Sequence, residues 1–287
     1  MLEKEGFAVS TDAVGVFGRP LLLKEVWGPA MEQSGFLGLE VLAWHHVNIS
    51  KLAEQYPVVG IHGKIRASFK GFDLYKLASG PLLDFMITDT ASLIEKYGTS
   101  TPYMLFHQRE AGFSKNIIQQ TKPIQTLFVE NSPHLGSLEE AIKLISDFRE
   151  AGINTGLMFD LYHYLAGISD LKEIYSSNFP ELWDLLMQKL QNTFTEIDQQ
   201  DTETPIGIHI PVGTRREDSL PVDQITEDMW KQLGGAIHQR PYTLVVIENQ
   251  QAGIGTVMLT PFRIESQRSR NMEIFKKLLE NNVIINS

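Results

Sequence analysis

The sequence predicts a single (β/α)8 barrel, and three observations support that fold class. Eight short apolar runs of strand type alternate with helical segments along the 287 residues, at roughly 36 residues per unit, which suits a barrel of eight parallel strands. Six of these runs stop at an acid or a histidine. No low-complexity linker divides the chain, so residues 1–287 are predicted to form one domain.

The strand-end residues separate a barrel from a doubly wound open sheet, which the same alternation permits. In a barrel all eight carboxyl ends meet at one mouth, so side chains from distant parts of the sequence come together. An open sheet gives no reason for repeated acids and imidazoles at these positions. The six residues are His62, His107, Glu130, Asp160, His209 and Glu248.

The first half of the chain contains four predicted strands and several shorter helical segments. The strands are the apolar runs at 7–10, 38–43, 57–62 and 102–107. The helical segments are expected at 21–33, 52–55, 83–88, 91–97 and 116–120. The connection between the third and fourth strands is the longest in this half.

The second half repeats the alternation more clearly. The remaining strands are expected to end at Glu130, Asp160, His209 and Glu248. A capping-box pattern, Ser137-x-x-Glu140, predicts the start of the next helix, and Gly152 predicts its end. Later helices are expected at 180–194, with an apolar stripe of Leu182, Leu185, Leu186 and Phe194, after a cap at Thr226, and at 271–281.

Composition limits the chemistry that the chain can perform. The absence of cysteine means that any metal must be held by His, Asp and Glu. A net charge of -10 disfavours a nucleic-acid partner, since such proteins usually carry a basic surface. The polar N-terminus and the lack of a run of ~20 apolar residues predict a cytoplasmic protein without a membrane segment.

The strand-end residues have the ligand chemistry of a divalent cation. Glu130, Asp160, His209 and Glu248 would hold one ion of Zn, Mn, Co, Fe or Mg. Three carboxylates at one mouth would otherwise repel one another strongly. His62 and His107 could complete a second ion site, with Glu130 bridging the two.

Four short motifs resemble the xylose isomerase-like barrel superfamily, which includes sugar isomerases and epimerases and endonuclease IV-type AP endonucleases. The motifs are Val129-Glu130-Asn131, Asp160-x-x-His163, His209 and Ile247-Glu248-Asn249. The resemblance implies a divalent metal held by the Glu, Asp, His and Glu of these motifs.

Two branches of that superfamily match different parts of the sequence. Ketose 3-epimerases carry an arginine six residues after the metal histidine, which here is Arg215, but they also have a glutamate where this chain has Gly136. Endonuclease IV has two additional histidines on earlier strands, which His62 and His107 resemble. Its third zinc site needs a histidine where this chain has Ser219, so a trinuclear site is not expected.

These observations favour a metal-dependent isomerase or epimerase of a small sugar or sugar derivative. The resemblance to ketose 3-epimerases implies that Glu130 and Glu248 transfer protons, while His163 and Arg215 would bind the substrate. The alternative for Arg215 is a surface ion pair with Glu217 or Asp218. The alternative function is a di-metal hydrolase or phosphodiesterase, for which two bound ions rather than one would be diagnostic; a dehydratase or oxidase is a third class. Since barrels of this kind often pair, a homodimer is one candidate assembly.

Overall fold

Eight parallel strands close into one barrel, as the sequence predicts. The structure, a computed structural model, describes residues 6–10, 28–33, 35–43, 49–63, 68–69, 72–73, 90–120, 124–133, 136–213, 219–240, 243–250 and 261–284. The barrel strands are β1 (Phe7–Ser10), β2 (Phe36–Leu42), β3 (Val58–His62), β4 (Tyr103–His107), β5 (Leu127–Glu130), β6 (Thr155–Asp160), β7 (Ile206–Gly213) and β8 (Leu244–Gln250). Neighbours in sequence are neighbours in the barrel, and β1 pairs with β8 to close it.

Helices follow most of the strands. They are Ile49–Ala53, Gln108–Phe113, Lys115–Gln120, Ser137–Glu150, Leu161–Ile168, Leu171–Ile174, Phe179–Gln200, Glu227–His238 and Pro261–Glu280, with further helical residues at 28–31 and 90–97. The helix expected at 83–88 and most of the one expected at 21–33 lie outside the described residues. In the described part of the chain, no helix is both long and apolar enough to cross a membrane.

The predicted capping box at Ser137 is wrong. Ser137 is the first helical residue, and its hydroxyl donates to the carbonyl of Ser132 instead of capping the helix. The chain turns into the helix at Gly136, which has a φ of 82° that favours glycine. The other end is as predicted, with Gly152 at a φ of 79° just after the helix.

Thr226, by contrast, caps its helix as predicted, because its side chain accepts a hydrogen bond from the amide of Met229. The helix Leu161–Ile168 was not predicted. It begins directly after β6, and the carboxylate of Asp160 caps it by accepting a 2.6 Å hydrogen bond from the amide of His163. Strand and helix therefore join without a loop at the residue that the sequence marked as a ligand.

Several other boundaries differ from the predictions. β7 and β8 continue past His209 and Glu248 to Gly213 and Gln250, because both strands remain paired with each other up to those residues. The closing helix begins at Pro261 rather than at 271. In the helix Phe179–Gln200, Leu186 and Phe194 of the predicted stripe are buried, whereas Leu185 is 50% exposed; the buried face also includes Trp183 and Leu190.

The apolar core has two parts, and the inner part shows which way the side chains at the strand ends point. A large cluster packs the outer faces of the strands against the helices. A smaller cluster fills the barrel interior, and four of its members are Leu105, Phe128, Met158 and Val246. Because strand side chains alternate with period two, the residues two positions later face the same interior. Those residues are His107, Glu130, Asp160 and Glu248.

Candidate metal centre

Glu130 lies at the centre of a cluster of four imidazoles. Its Oε2 is 3.3 Å from Nε2 of His62 and 3.4 Å from Nε2 of His107. Its Oε1 is 3.2 Å from Nδ1 of His209 and 3.4 Å from Nδ1 of His163. Strand pairing accounts for part of this arrangement, since His107 on β4 stands in register with Glu130 on β5. The two oxygens of one carboxylate thus face two different sets of nitrogens.

Asp160 and Glu248 complete the side of the cluster that faces His209. Nδ1 of His209 is 3.5 Å from Oε1 of Glu248 and 3.8 Å from Oδ2 of Asp160. Asp160 and His209 are also register partners on β6 and β7. The side chain of Asn131 fixes the Asp160 backbone, donating to its carbonyl at 3.0 Å and accepting from its amide at 2.8 Å. Asn131 therefore locks the end of β6 against the end of β5.

The donor atoms fit a cation rather than one another. Both oxygens of Glu130, Oδ2 of Asp160, Nε2 of His62 and Nδ1 of His209 are buried, and none makes a hydrogen bond with any described residue. Leaving buried polar atoms without hydrogen bonds costs free energy, and native structures rarely do so. Carboxylate and imidazole donors are the usual ligands of Zn, Mn, Fe and Co. A divalent cation would therefore satisfy these atoms and offset the repulsion among the carboxylates.

The donor atoms also fall into groups of the right size for single ions. Ligand atoms within 4.8 Å of one another are offered by His62, His107 and Glu130, by Glu130, Asp160 and His163, and by Glu40, His209 and Glu248. The first two groups share Glu130. A shared carboxylate is the arrangement by which one side chain can bridge two ions.

Burial and neighbouring charges lower the pKa of some acids in the cluster and raise the pKa of others. Burial alone would raise the pKa of Glu130, but the imidazoles of His107 and His209 outweigh it and hold that pKa well below its usual range. Burial raises the pKa of Asp160 to about 6, and it raises that of Glu248 to about 7. Glu248 therefore titrates close to neutral pH in the metal-free protein.

The imidazoles of the cluster likewise have either a lowered or a raised pKa. Burial lowers the pKa of His107 to about 3, which keeps that ring neutral and suited to bind a metal. Burial also disfavours the charged forms of His62 and His209, but the neighbouring carboxylates, Glu130 and Glu40 among them, raise the pKa of both rings well above the usual value. An ion binding here must displace protons from these two rings.

Glu40 is a member of the cluster that the sequence analysis missed. It lies inside β2, is fully buried, and accepts a 2.8 Å hydrogen bond from the hydroxyl of Tyr103. Its Oε2 is 3.2 Å from Nε2 of His209, and its Oε1 is 3.3 Å from Nδ1 of His62. Burial would raise its pKa, but these two imidazoles lower it to about 2. The only signal in the sequence is an acid within the apolar run of residues 38–43.

The structure brings seven of the eight residues predicted for the site into this cluster. They are His62, His107, Glu130, Asp160, His163, His209 and Glu248. Arg215, predicted to bind substrate, lies outside the described residues, as do Glu217 and Asp218. His163 is on the first turn of the helix that Asp160 caps, and its Nδ1 lies 2.9 Å from the carbonyl of Asn131.

Comparison with known proteins identifies the fold. No protein-family profile matches the sequence, and no curated protein does. Among solved structures, a xylose isomerase domain protein from Alicyclobacillus acidocaldarius subsp. acidocaldarius is similar over 96% of this chain and 99% of its own, with a TM-score of 0.50 and 13% identity. PbGH5A, a glycoside hydrolase family 5 enzyme from Prevotella bryantii B14, matches over 92% and 95%, with a TM-score of 0.46 and 13% identity. The resemblance to xylose isomerase-like barrels is thereby confirmed at the level of the fold.

Proposed function

We propose that this barrel is a hydrolase of small phosphate esters that uses two divalent ions. One observation carries the proposal: Oε2 of Glu130 faces Nε2 of His62 and of His107, while its Oε1 faces Nδ1 of His209. A carboxylate placed in this way suits a bridge between two ions. A centre of one ion, which the isomerase scheme requires, would leave His62 and His107 without a role.

The residues fall into two ligand sets around that bridge. His62 and His107 would hold one ion with Glu130. Asp160, His209 and Glu248 would hold the other with it, because Nδ1 of His209 lies 3.2 Å from Glu130, 3.5 Å from Glu248 and 3.8 Å from Asp160. Bound ions of this kind polarise a phosphoryl oxygen and acidify water. His107 is suited to its part because its low pKa keeps the ring neutral at physiological pH.

Two further residues are assigned to the substrate. His163 stands at the first turn of its helix, is half-buried, and lies beside Glu130. Its Nδ1 lies within hydrogen-bonding distance of the Asn131 carbonyl, and we assign its ring to a phosphoryl or leaving-group oxygen. Arg215 is proposed to bind a phosphate oxygen through its guanidinium, the group best matched to that geometry.

The charge of the chain favours a small substrate over nucleic acid. The net charge is -10, so a long polyanion would be repelled by most of the protein. A small phosphate ester needs only the local positive charge that two ions and one arginine supply. For this reason the proposal excludes duplex DNA as the substrate.

A second candidate is the isomerase or epimerase of a small sugar, and a different observation favours it. Burial raises the pKa of Glu248 to about 7, which is the range in which a carboxyl can both accept and return a proton. Glu130 and Glu248 both lie near Nδ1 of His209 and could act on a substrate held between them. This reaction needs one ion, so ion count distinguishes the two candidates.

The test combines metal counting with two activity assays. We expect two zinc or manganese ions per chain by elemental analysis, and hydrolysis of p-nitrophenyl phosphate or its bis ester. His107→Ala should reduce the count to one ion and lower hydrolysis by more than the ~10–100-fold that loss of an outer-shell partner causes, since a ligand itself is lost. His238→Ala is the matched control, because His238 is exposed and bonds to the carbonyl of Asn282.

One ion per chain without phosphatase activity would overturn the hydrolase. If such a protein also exchanged carbon-bound hydrogen of a ketose with deuterated water, the isomerase would take its place. A wild-type protein with two ions that hydrolyses neither ester would require a different substrate class from the one proposed.

A further inference from the structure

Glu40 contacts the cluster of candidate ligands from inside the barrel, at a level deeper than the strand ends. It stands within β2, whereas His62, His107, Glu130 and Asp160 each end a strand. Its carboxylate is fully buried, so a residue of this kind needs partners for both oxygens. The described residues supply two at Oε2, from Tyr103 and His209, while Oε1 lies 3.3 Å from Nδ1 of His62 without a hydrogen bond.

The contact with His209 determines how that ring is presented. Nε2 of His209 faces Oε2 of Glu40 at 3.2 Å, while Nδ1 faces Glu130 at 3.2 Å, Glu248 at 3.5 Å and Asp160 at 3.8 Å. An imidazole that binds a metal through one nitrogen carries its proton on the other. A carboxylate at Nε2 therefore favours Nδ1 as the ligand atom.

His62 lies near the other oxygen of Glu40 with its nitrogens exchanged, but no hydrogen bond joins the two side chains. Its Nδ1 is 3.3 Å from Oε1 of Glu40, and its Nε2 is 3.3 Å from Oε2 of Glu130. One buried carboxylate thus lies behind two histidines that belong to the two proposed ion sites. In each ring, Glu40 faces the nitrogen that does not face Glu130.

Tyr103 holds Glu40 in place. Its hydroxyl donates to Oε2 at 2.8 Å, and its ring packs edge-on against Phe128 at a centroid distance of 5.3 Å. Gly60 makes room for the phenol, because a Cβ at that position would lie 2.1 Å from Cζ of Tyr103 and 2.5 Å from its hydroxyl oxygen. The tyrosine is therefore confined between β3 and β5, with its hydroxyl directed at the carboxylate.

We propose that Glu40, held by Tyr103, is a positioning residue that keeps the proton of His209 on Nε2 and directs Nδ1 toward the ion, and does the converse for His62. This inference rests on the metal centre of the proposed function but not on hydrolysis. The surroundings of Oε2 favour this role over direct ligation through that oxygen, because Tyr103 donates to it and Nε2 of His209 lies within hydrogen-bonding distance of it.

The first measurement is metal affinity without any substrate. Zinc or cobalt is titrated into metal-free protein by calorimetry for the wild type, Glu40→Gln and Tyr103→Phe. Loss of a carboxylate behind a ligand histidine weakens metal binding by ~10–100-fold, and we expect Glu40→Gln to fall in this range. Tyr103→Phe keeps the ring packing and the carboxylate, so a smaller loss in the same direction is expected.

Glu110→Gln is the matched control. Glu110 is also a buried glutamate near this end of the barrel, and it interacts with the hydroxyl of Thr90. The substitution removes a buried carboxyl group without touching the carboxylate behind His209. Its effect on zinc affinity should be smaller than that of Glu40→Gln. An equal effect would mean that losing any buried carboxyl group at this end weakens binding, and would overturn the positioning role.

The second measurement reads the imidazoles directly. In zinc-loaded protein with ¹⁵N-labelled histidine, the proton of His209 should be found on Nε2 and that of His62 on Nδ1 in the wild type. Either Glu40→Gln or Tyr103→Phe should shift or weaken these signals, which keeps the test valid if one variant does not fold. A zinc-bound Nε2 in His209 would make Glu40 a candidate ligand and overturn the inference.

The two proposals fail in different ways. Wild-type zinc affinity in both Glu40→Gln and Tyr103→Phe would overturn the positioning role and leave the hydrolase intact. Tight binding and the expected proton positions in a protein without phosphatase activity would do the reverse. A wild-type chain that binds neither zinc nor cobalt would overturn both.

Discussion

Glu130 concentrates most of the electrostatics of the centre in one side chain. It is buried, and four imidazoles lie within 3.4 Å of its two oxygens. The rings of His107 and His209 keep its pKa low in spite of burial. Asp160 and Glu248 lack this degree of compensation, so burial leaves their pKa values at about 6 and about 7. The cluster is therefore able to exchange protons for metal near neutral pH.

Metal affinity should depend steeply on pH for this reason. A raised carboxyl pKa means that the metal-free protein binds protons as pH falls, and an ion must displace them. Zinc affinity should fall by roughly tenfold per pH unit for each group that must lose a proton to bind the ion. Glu248 is such a group below about pH 7 and Asp160 below about pH 6, and the rings of His62 and His209, whose pKa values are raised, add to the dependence. Calorimetry in two buffers of different ionisation enthalpy measures the released protons. An affinity that is constant between about pH 8 and about pH 5.5 would contradict this account.

Arg215 remains a prediction from the sequence, since it lies outside the described residues. Replacing it with alanine should leave metal content and melting temperature nearly unchanged, because it is not assigned to the ions. kcat/KM should fall at least tenfold, equivalent to about 1.4 kcal/mol of lost transition-state binding. Steady-state kinetics with elemental analysis checks both parts. Unchanged kinetics, or loss of the metal, would refute the assignment.

At the scale of elements, the strand-to-helix junction after β6 combines two tasks in Asp160. Its Oδ1 accepts the amide of His163 and so caps the helix Leu161–Ile168, while its Oδ2 faces His209. The cap fixes the carboxylate orientation before any ion binds. It also places His163, one turn into the helix, beside Glu130. The three-residue spacing between Asp160 and His163 is the one at which a capping side chain accepts a hydrogen bond from a helix amide.

Two adjacent glycines of the helix Glu227–His238 allow its packing against the segment around Asn281 to be tested. A Cβ at Gly234 would lie 2.3 Å from the carbonyl oxygen of Asn281, whereas a Cβ at Gly235 would meet nothing within 4 Å. Gly234→Ala should therefore destabilise the fold by ~1–3 kcal/mol. Gly235→Ala, the matched control, should stabilise it by ~0.5–1 kcal/mol, because alanine has the better helix propensity.

Chemical denaturation of the metal-free protein measures both changes on the same scale. A neutral effect of Gly234→Ala would mean that the segment around Asn281 can move away from the helix at little cost. Equal effects of the two substitutions would show that backbone entropy, and not this contact, dominates at both positions.

At the scale of the whole molecule, the proposed ligands come from six of the eight strands, β3 to β8. Ions bound among them would therefore link segments from residue 62 to residue 248. Ligands that bind only the folded state stabilise it, by about 2.7 kcal/mol when present at 100 times Kd. The entire barrel should gain this stability, since the ligand-bearing strands make up most of its wall.

Chelation should accordingly lower the melting temperature of the whole barrel. Circular dichroism or calorimetry with EDTA, and then with zinc or manganese restored, should show a reversible loss and recovery of several degrees. His238→Ala should respond as the wild type does, because its side chain lies outside the cluster. A melting temperature that does not change with EDTA or added metal would indicate that no ion is held by these strands.

A large part of the architecture followed from the sequence. Repeated apolar runs ending in acids and histidines predicted a barrel, because only a closed parallel sheet brings so many strand ends to one mouth. Local signals were less secure where tertiary contacts compete with them. Ser137 matches a cap in sequence, yet Gly136 adopts the turn and the serine bonds to Ser132. Leu185 matches a helical stripe, yet the face of its helix that packs on the barrel is set by Trp183 and its neighbours.

The sequence by itself determined the number of strands and the residues that end β3 to β6, because both depend on local periodicity. Only the tertiary structure decided that Glu40 belongs to the cluster. Strand β2 is buried on both faces, so alternation could not tell whether this acid points into the barrel or toward the helices. The tertiary structure also decided which imidazoles face each oxygen of Glu130. Strand register sets His107 on β4 beside Glu130 on β5, so that Oε2 faces His107 while Oε1 faces His209.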